Sequence, residues 1–320
     1  MTESPDPDEK RWRNIPLDSA LPDWLQGLPA ISRPYAALAR WDRPVGIWLL
    51  LLPCWMGLAQ MRIPAGFQWI DLLWIVLFPI GAIAMRGAGC TWNDIRDRDI
   101  DAQVERTAMR PLPAGEVTLQ QAYIFLAAQL SVGFLVWLCL PATAKLWALA
   151  AIPLVVAYPY MKRITWWPQA WLGMTFNWGL LVGAATIVQG SLINFVPLPT
   201  ILLYFGLIAW TIAYDTIYAL QDIEDDAMLG VKSTARLFGD RVLIGIFVSQ
   251  MLATALIFLG AYFAGAGRIG AILALAFFGH GLWQVSQLSN DRTGRALAIF
   301  KSNVWAGAII LAGLVIAALF

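Results

Sequence analysis

Residues 69–101 read WIDLLWIVLFPIGAIAMRGAGCTWNDIRDRDID, an apolar run that ends in a dense knot of charge. As a helix, its first twenty or so residues are long enough to cross the ~30 Å hydrocarbon core of a bilayer. Its last nine carry Asn93, Asp94, Asp97, Asp99 and Asp101. Carboxylates beside lipid are costly and call for a counter-charge. The pattern recurs downstream, where the apolar stretch 200–220 runs into Asp222-Ile223-Glu224-Asp225-Asp226. In each cluster two aspartates stand four apart, Asp97 with Asp101 and Asp222 with Asp226. That spacing puts both carboxylates on one face of a helix. Bare, they repel. With a hard divalent cation between them, the same spacing becomes a binding site.

The rest of the chain agrees with a lipid environment. Of 320 residues, 59% are hydrophobic and only 13% charged, with a mean hydropathy of +0.63. These values lie outside the range of ordinary soluble domains. A net charge of +1 gives no electrostatic case for nucleic acid. Cys54, Cys90 and Cys139 are scattered and odd in number, without the spacing of a disulfide framework or a zinc site. They read as small buried hydrophobes, and the single His280 reads as a helix-packing residue. The N-terminus opens with acids and prolines and has no apolar core of a signal peptide. Ser32–Trp41 alternates apolar and basic residues, as expected of an interfacial helix leading into the membrane. The expected organisation is a cytoplasmic N-terminal segment, 1–43, followed by a membrane domain, 44–320.

Nine spans are expected, at about 44–61, 69–89, 118–140, 144–161, 170–189, 200–220, 241–264, 269–287 and 303–320. With a cytoplasmic N-terminus, all the lysines and arginines except Arg62, Lys145 and Arg268 fall on the cytoplasmic side, nineteen of the twenty-two. Both acidic clusters fall there too. One span more or fewer would scramble that alternation. Each cluster is trailed by a similar basic segment, Arg106-Thr107-Ala108-Met109-Arg110 and Lys232-Ser233-Thr234-Ala235-Arg236. The offset is four helices. An all-α integral membrane fold is therefore expected, with nine helices around a central cavity and a pseudo-repeat of four-helix units, the site lying between the copies.

Acidic clusters that hold Mg²⁺, ringed by Arg106, Arg110, Lys162, Arg163, Lys232 and Arg236, suit a polyphosphate. A cavity open to lipid suits a greasy remainder. A polyprenyl diphosphate meets both conditions. Charge growing on a departing diphosphate is stabilised by metals and cations. The allylic cation left behind needs a dry pocket and gains from aromatic faces. Tyr158, Tyr160, Tyr214, Tyr218 and Trp178 are placed for that, although helix packing explains any one of them.

These residues fall into an ordered series: Arg43-Pro44-Val45-Gly46, Met85-Arg86-Gly87-Ala88-Gly89-Cys90, Asn93-Asp94-x-x-Asp97-x-x-x-Asp101, and Arg106-Thr107-x-x-Arg110-Pro111-Leu112-Pro113-x-Gly115. Tyr158-Pro159-Tyr160-Met161-Lys162-Arg163, Ala213-Tyr214-Asp215-Thr216-x-Tyr218-Ala219, Asp222-x-x-Asp225-Asp226 and Gly230-Val231-Lys232-Ser233-Thr234 complete it. The series resembles the UbiA-type membrane prenyltransferases, in particular their 4-hydroxybenzoate branch in ubiquinone biosynthesis. The resemblance implies a Mg²⁺-dependent transfer from polyprenyl diphosphate to the ring carbon ortho to the hydroxyl of 4-hydroxybenzoate. It implies metal ligands at Asn93, Asp94, Asp97, Asp101, Asp222 and Asp226, with Asp97, Asp101, Asp222 and Asp226 catalytic. It implies diphosphate contacts at Arg106, Arg110 and Lys232. Lys162 joins them, while Arg163 and, more weakly, Arg43 are candidates for the aromatic acid's carboxylate. Ile223 stands where relatives often carry a basic residue. No proton acceptor is assigned, since Asp215 reads first as a structural residue. For a Gram-negative bacterium the address would be the inner membrane.

Other readings remain at this point. A related enzyme would prenylate haem, chlorophyllide, homogentisate or a naphthoate. A CDP-alcohol phosphotransferase expects one compact acidic cluster, whereas Asp101 and Asp226 are 125 residues apart. A divalent-cation transporter expects acids near the middle of its spans.

Overall fold

The computed structural model describes residues 22–103, 105–188, 197–228 and 230–320; the side chains at 23, 105, 106, 222, 224 and 225 are left aside. The chain is an all-α membrane protein, with no strand among the described residues. The helices are α1 (Asp23–Gln26), α2 (Arg33–Leu38), α3 (Val45–Arg62), α4 (Asp71–Asp101), α5 (Glu105–Ala108), α6 (Leu119–Cys139), α7 (Ala142–Ala150) and α8 (Ile152–Ile164). There follow α9 (Pro168–Phe176), α10 (Trp178–Ala185), α11 (Leu198–Ala219), α12 (Ile223–Met228), α13 (Thr234–Phe238), α14 (Val242–Ala261), α15 (Gly267–Asn290) and α16 (Ala296–Leu319).

Among the described residues, seven helical stretches are long and apolar enough to cross a membrane, against the nine expected. The difference has two causes. The expected span at 170–189 is divided at Asn177, where α9 ends and α10 begins. The Asn177 amide donates to Gly173 O at 2.8 Å, to Thr211 Oγ1 at 2.8 Å and to Leu207 O at 3.2 Å, so it serves one carbonyl at the break and ties the break to α11. The expected spans 241–264 and 269–287 correspond to α14 and α15. A π-helical turn, Tyr262–Ala266, joins them into one stretch, 234–290. The chain turns there on Gly265 and Gly267, at φ of 102° and 52°, a conformation open to glycine.

Surface chemistry is that of a lipid-solvated protein. Leu72, Val76, Ile80 and Ile83 of α4 and Ile124, Phe134, Leu135 and Leu138 of α6 are exposed, while Gln60, Asp94, Gln129, Asn177, Thr211 and Asn303 are buried. Lipid makes no hydrogen bonds, so polar groups are turned inward to find partners. Trp69, Trp166 and Trp167 stay exposed, as suits interface anchors.

The chain divides into two compact units. One comprises the described residues up to Ile47 with Ile80–Val136; the other comprises Trp48–Pro79 and Trp137–Phe320. In the first, α2, α4, α6 and the loop after α5 share a core of Leu38, Leu112, Val117 and Ala122, with Tyr35, Ile95 and Phe125 against it. The helix expected to lie at the interface thus buries Ala36, Ala37 and Leu38 in protein. Thr91 Oγ1 ties α4 to α6, donating to Gly87 O at 2.9 Å and Gln129 Oε1 at 3.1 Å.

In the second unit α11 is central, packing on α9, α14 and α16, while α15 packs on α14 and α16. Backbones approach closely where residues are small. A Cβ on Gly183 of α10 would overlap the Cys54 carbonyl of α3, and one on Gly57 would overlap the Leu180 carbonyl. Without a hydrophobic force between helices in lipid, such van der Waals packing holds them together. Gly183→Ala is therefore expected to destabilise the protein by about 1–3 kcal/mol, because backbone and not a side chain must yield. Gly279→Ala, with open space around it, should be neutral or slightly stabilising. Thermal unfolding of both variants in detergent checks this; equal midpoints would refute the close-crossing account.

Candidate active site

At 31 residues, α4 is about 46 Å long by its helical rise, well beyond the ~30 Å of a hydrocarbon core. Its last three turns carry the acidic cluster. There Asp94, Asp97 and Asp101 lie on one helical face and are buried, at 0, 2 and 8% exposure. Asn93 is half-buried, and Arg96, Arg98 and Asp99 face outward.

Two arginines meet this face. Arg40 Nη2 donates to Asp94 Oδ1 at 2.7 Å, and both side chains are buried. Arg110 Nη1 lies 3.6 Å from the same Asp94 oxygen and donates to Asp101 Oδ2 at 2.9 Å. Each is delivered by a local structure. Arg40 follows the end of α2, where Trp41 N–H donates to Ala36 O and Arg40 N–H to Ala37 O, at 2.9 and 3.0 Å. That paired pattern is the Schellman motif, which wants a left-handed residue at the position Arg40 occupies. Arg40 adopts it, with φ of 59°, alone among the described non-glycine residues. Arg110 is carried by turns in which Ala114 N–H donates to Arg110 O and Val117 N–H to Pro111 O, anchored by buried Leu112. Asp94 Oδ2 is buried and has no hydrogen-bond partner among the described residues.

Beside them, Arg43 Nε donates to Asp42 Oδ2 at 3.2 Å, and Asp42 is fully buried. Gly46 makes room for Arg86: a Cβ there would lie 2.6 Å from Arg86 Nε. Sequence reading took Arg40 only as an orientation charge, took Arg86 as an orientation charge and a member of the ordered series, and passed over Asp42. The available signal was the density of charge in Arg40-Trp41-Asp42-Arg43, immediately before an apolar span. Within this unit Arg40, Arg43, Arg86 and Arg110 equal Asp42, Asp94, Asp97 and Asp101 in number.

In the other unit, Lys232 N–H donates to Lys162 O at 2.8 Å and Lys232 Nζ to Ile164 O at 3.1 Å. This joins two of the expected cations and places the lysine at the C-terminus of α8, where positive charge is favoured. Arg163 is exposed in the same last turn. Arg236 Nη1 donates to Asp226 O at 3.1 Å and to Val231 O, and its guanidinium lies 5.5 Å from the Trp166 ring. Asp226 is half-buried on α12. Asp222 and Arg106 lie outside the described side chains. Of the expected aromatics, Tyr214 and Trp178 are packing residues. Tyr214 is buried, with its OH 3.1 Å from Thr211 Oγ1 and its ring 5.2 Å from Trp210. Trp178 Nε1 donates to Trp147 O at 2.7 Å. Tyr218, half-buried, rests 4.8 Å from Phe300.

Among the described residues no three carboxylate, histidine or cysteine side chains form a ready metal cluster. The donor set at the end of α4 nonetheless suits one: an amide oxygen and three carboxylates are hard ligands for Mg²⁺, and one oxygen of the Asp94 carboxylate is buried with no hydrogen-bond partner among the described residues. Flanking arginines suit an anionic ligand that brings the metal with it.

Residues 49–319 match the UbiA prenyltransferase family. The chain is 44% identical over 298 residues to the mitochondrial 4-hydroxybenzoate polyprenyltransferase of Aedes aegypti, covering 91% of itself and 64% of that protein. With the enzyme of the same name from Mus musculus it is 40% identical over 323 residues, covering 98% of itself and 82% of that protein. The apo structure of a UbiA homolog from Aeropyrum pernix K1 superposes with a TM-score of 0.71 at 26% identity, over 84% of this chain and 97% of that one. A UbiA homolog from Archaeoglobus fulgidus, bound to GPP and Mg²⁺, shares the fold with a TM-score of 0.66 at 18% identity, over 89% and 99%.

Removing one partner of a buried pair leaves a bare charge. Asp94→Ala is expected to cost about 3–5 kcal/mol of stability. Asp99→Ala, which removes the exposed partner of Arg98, should stay within about 0.5 kcal/mol. Denaturant unfolding in detergent decides, and comparable losses at both positions would refute the buried network.

Proposed function

The chain belongs to the UbiA prenyltransferase family, and on that footing we propose that it prenylates 4-hydroxybenzoate. The donor is a polyprenyl diphosphate, the new bond forms at the ring carbon ortho to the hydroxyl, and the product enters ubiquinone biosynthesis. The observation that carries this reading is 40–44% identity, along nearly the whole chain, to enzymes of that name. The UbiA homolog bound to GPP and Mg²⁺ supports the donor class and the ion.

On this reading Asn93, Asp94, Asp97, Asp101, Asp222 and Asp226 hold Mg²⁺, which supplies charge stabilisation to the diphosphate. Arg106, Arg110, Lys162 and Lys232 bind the diphosphate oxygens, and Arg163 with Arg43 takes the aromatic carboxylate. The C–O bond breaks with its electron pair leaving on the diphosphate. The ring carbon then attacks the allylic cation, and the proton on that carbon passes to solvent. Apolar walls keep water from the cation in the interval. The basic connections and both acidic segments face the cytoplasmic side, following the lysine and arginine asymmetry. The named relatives are mitochondrial, so they do not support the bacterial inner membrane as the address.

The test is product analysis by mass spectrometry with purified protein, Mg²⁺, a polyprenyl diphosphate and a panel of acceptors. A prenylated 4-hydroxybenzoate is expected, lost on addition of EDTA. Asp97→Ala and Asp226→Ala should each lower kcat by at least about 10²–10³-fold, the scale of losing one stabiliser of developing charge. Prenylation of a different acceptor alone, or full activity in both variants, would overturn the reading.

A further inference from the structure

We propose that Arg40 is a positioning residue for the metal: it grips one oxygen of Asp94 so that the other is presented to the ion. The inference rests on the reading of Asp94 as a metal ligand given above. Four observations carry it. The Arg40 guanidinium is pinned at two points, with Nη1 donating to Ala37 O at 3.0 Å and Nη2 to Asp94 Oδ1 at 2.7 Å. Arg40 is 7% exposed and Asp94 not at all, so little water competes for the pair. Asp94 Oδ1 also has Arg110 Nη1 at 3.6 Å, whereas Asp94 Oδ2 is buried with no hydrogen-bond partner among the described residues. Finally, Arg40 takes a left-handed backbone, φ of 59°, at a helix end where glycine is the common choice.

The last two observations are the telling ones. A left-handed conformation is unfavourable for any residue with a Cβ. Glycine would close α2 at lower energy, so the arginine is retained for what its side chain does. That side chain spans 54 positions of sequence to reach one carboxylate. A carboxylate gripped at both oxygens would be a finished structural ion pair. One gripped at a single oxygen, its second oxygen equally dry and unpartnered, is oriented and incomplete. Metal-ligating carboxylates are commonly held by such outer hydrogen bonds, and losing the outer partner typically weakens metal binding about 10–100-fold.

Arg40→Gly is the informative variant, because it removes the side chain while relieving the backbone. Mn²⁺ alone is titrated into the purified protein in detergent, with free Mn²⁺ read by electron paramagnetic resonance. The expected result is a Kd raised about 10–100-fold in a protein that retains its helical circular dichroism. Arg40→Lys should recover part of the affinity. The double variant Arg40→Gly/Asp94→Asn should match Asp94→Asn alone, since Arg40 acts only through Asp94. It also removes both buried charges together, so it keeps the test open if Arg40→Gly misfolds. Unchanged Mn²⁺ affinity in Arg40→Gly, or a double variant weaker than Asp94→Asn, overturns the proposal. Asp97→Asn separates the two levels. If it weakens Mn²⁺ binding while Arg40→Gly does not, the inference about Arg40 alone fails. If Asp97→Asn and Asp226→Asn both bind like the parent, the metal reading itself falls, and the inference with it.

Discussion

A bilayer offers no hydrogen bonds, so each polar group near it must be answered from within the protein. At the end of α4 this requirement takes its most expensive form, three buried aspartates on one helical face. Removing a carboxylate from water costs several kcal/mol even after relaxation. The answer is a chain of charge running from Arg40 through Asp94 and Arg110 to Asp101. Arg40 comes from the end of α2 and Arg110 from the loop after α5. The charge pairs therefore fix where those two segments sit, and the Leu38–Leu112–Val117 core forms around that choice. In most soluble domains the apolar core positions the polar site. Here the polar site and its small core specify one another.

The same requirement shapes the second unit through neutral groups. Asn177 serves the Gly173 carbonyl at the break between α9 and α10 and the Leu207 carbonyl of α11, and Gln60 Nε2 donates to Pro199 O and Gly260 O at 3.0 and 3.2 Å. Trp210 Nε1 is matched by Asn303 Oδ1 at 2.9 Å. An ion pair of this unit, Arg62 Nη2 with Asp71 Oδ1 at 2.7 Å, braces the turn between α3 and α4. Arg62 was expected at the membrane face opposite the acidic clusters, and the pairing gives it the partner it needs. Glycine-lined crossings then let helices without polar contacts approach closely.

What the sequence made legible follows from what is local. Apolar runs placed the helices, and spacing placed Asp97 and Asp101 on one face, because both depend only on helical periodicity; that Asp94 shares the face came from the structure. The break at Asn177 was missed because an asparagine within a long apolar run leaves the hydropathy intact. Arg40 was visible as a charge but not as a partner, since nothing local links it to a residue 54 positions away. Its left-handed backbone carries no composition signal either; the usual sign of such a site is glycine. Tyr214 and Trp178 looked like cation-stabilising aromatics by their nearness in sequence to the charged segments. Only their hydrogen bonds to Thr211 and Trp147 identify them as packing residues.

The cations read together from sequence are held in different ways, and this bears on how an anion could engage them. Lys232 gives its ammonium to a single backbone carbonyl at the end of α8, a contact outside the buried network. Arg110 gives one nitrogen to Asp101 and stands near Asp94, with its side chain only 12% exposed. A phosphate oxygen drawing on Lys232 displaces a neutral acceptor and gains a charge-assisted bond in its place. One drawing Arg110 away takes a partner from buried Asp101 and a nearby positive charge from Asp94, and a divalent ion arriving with the anion would restore that charge. If both cations serve the proposed diphosphate, the ion therefore favours the contact of Arg110 more than that of Lys232. The position of each cation relative to buried acid, rather than its place in a motif, decides which contacts depend on the ion.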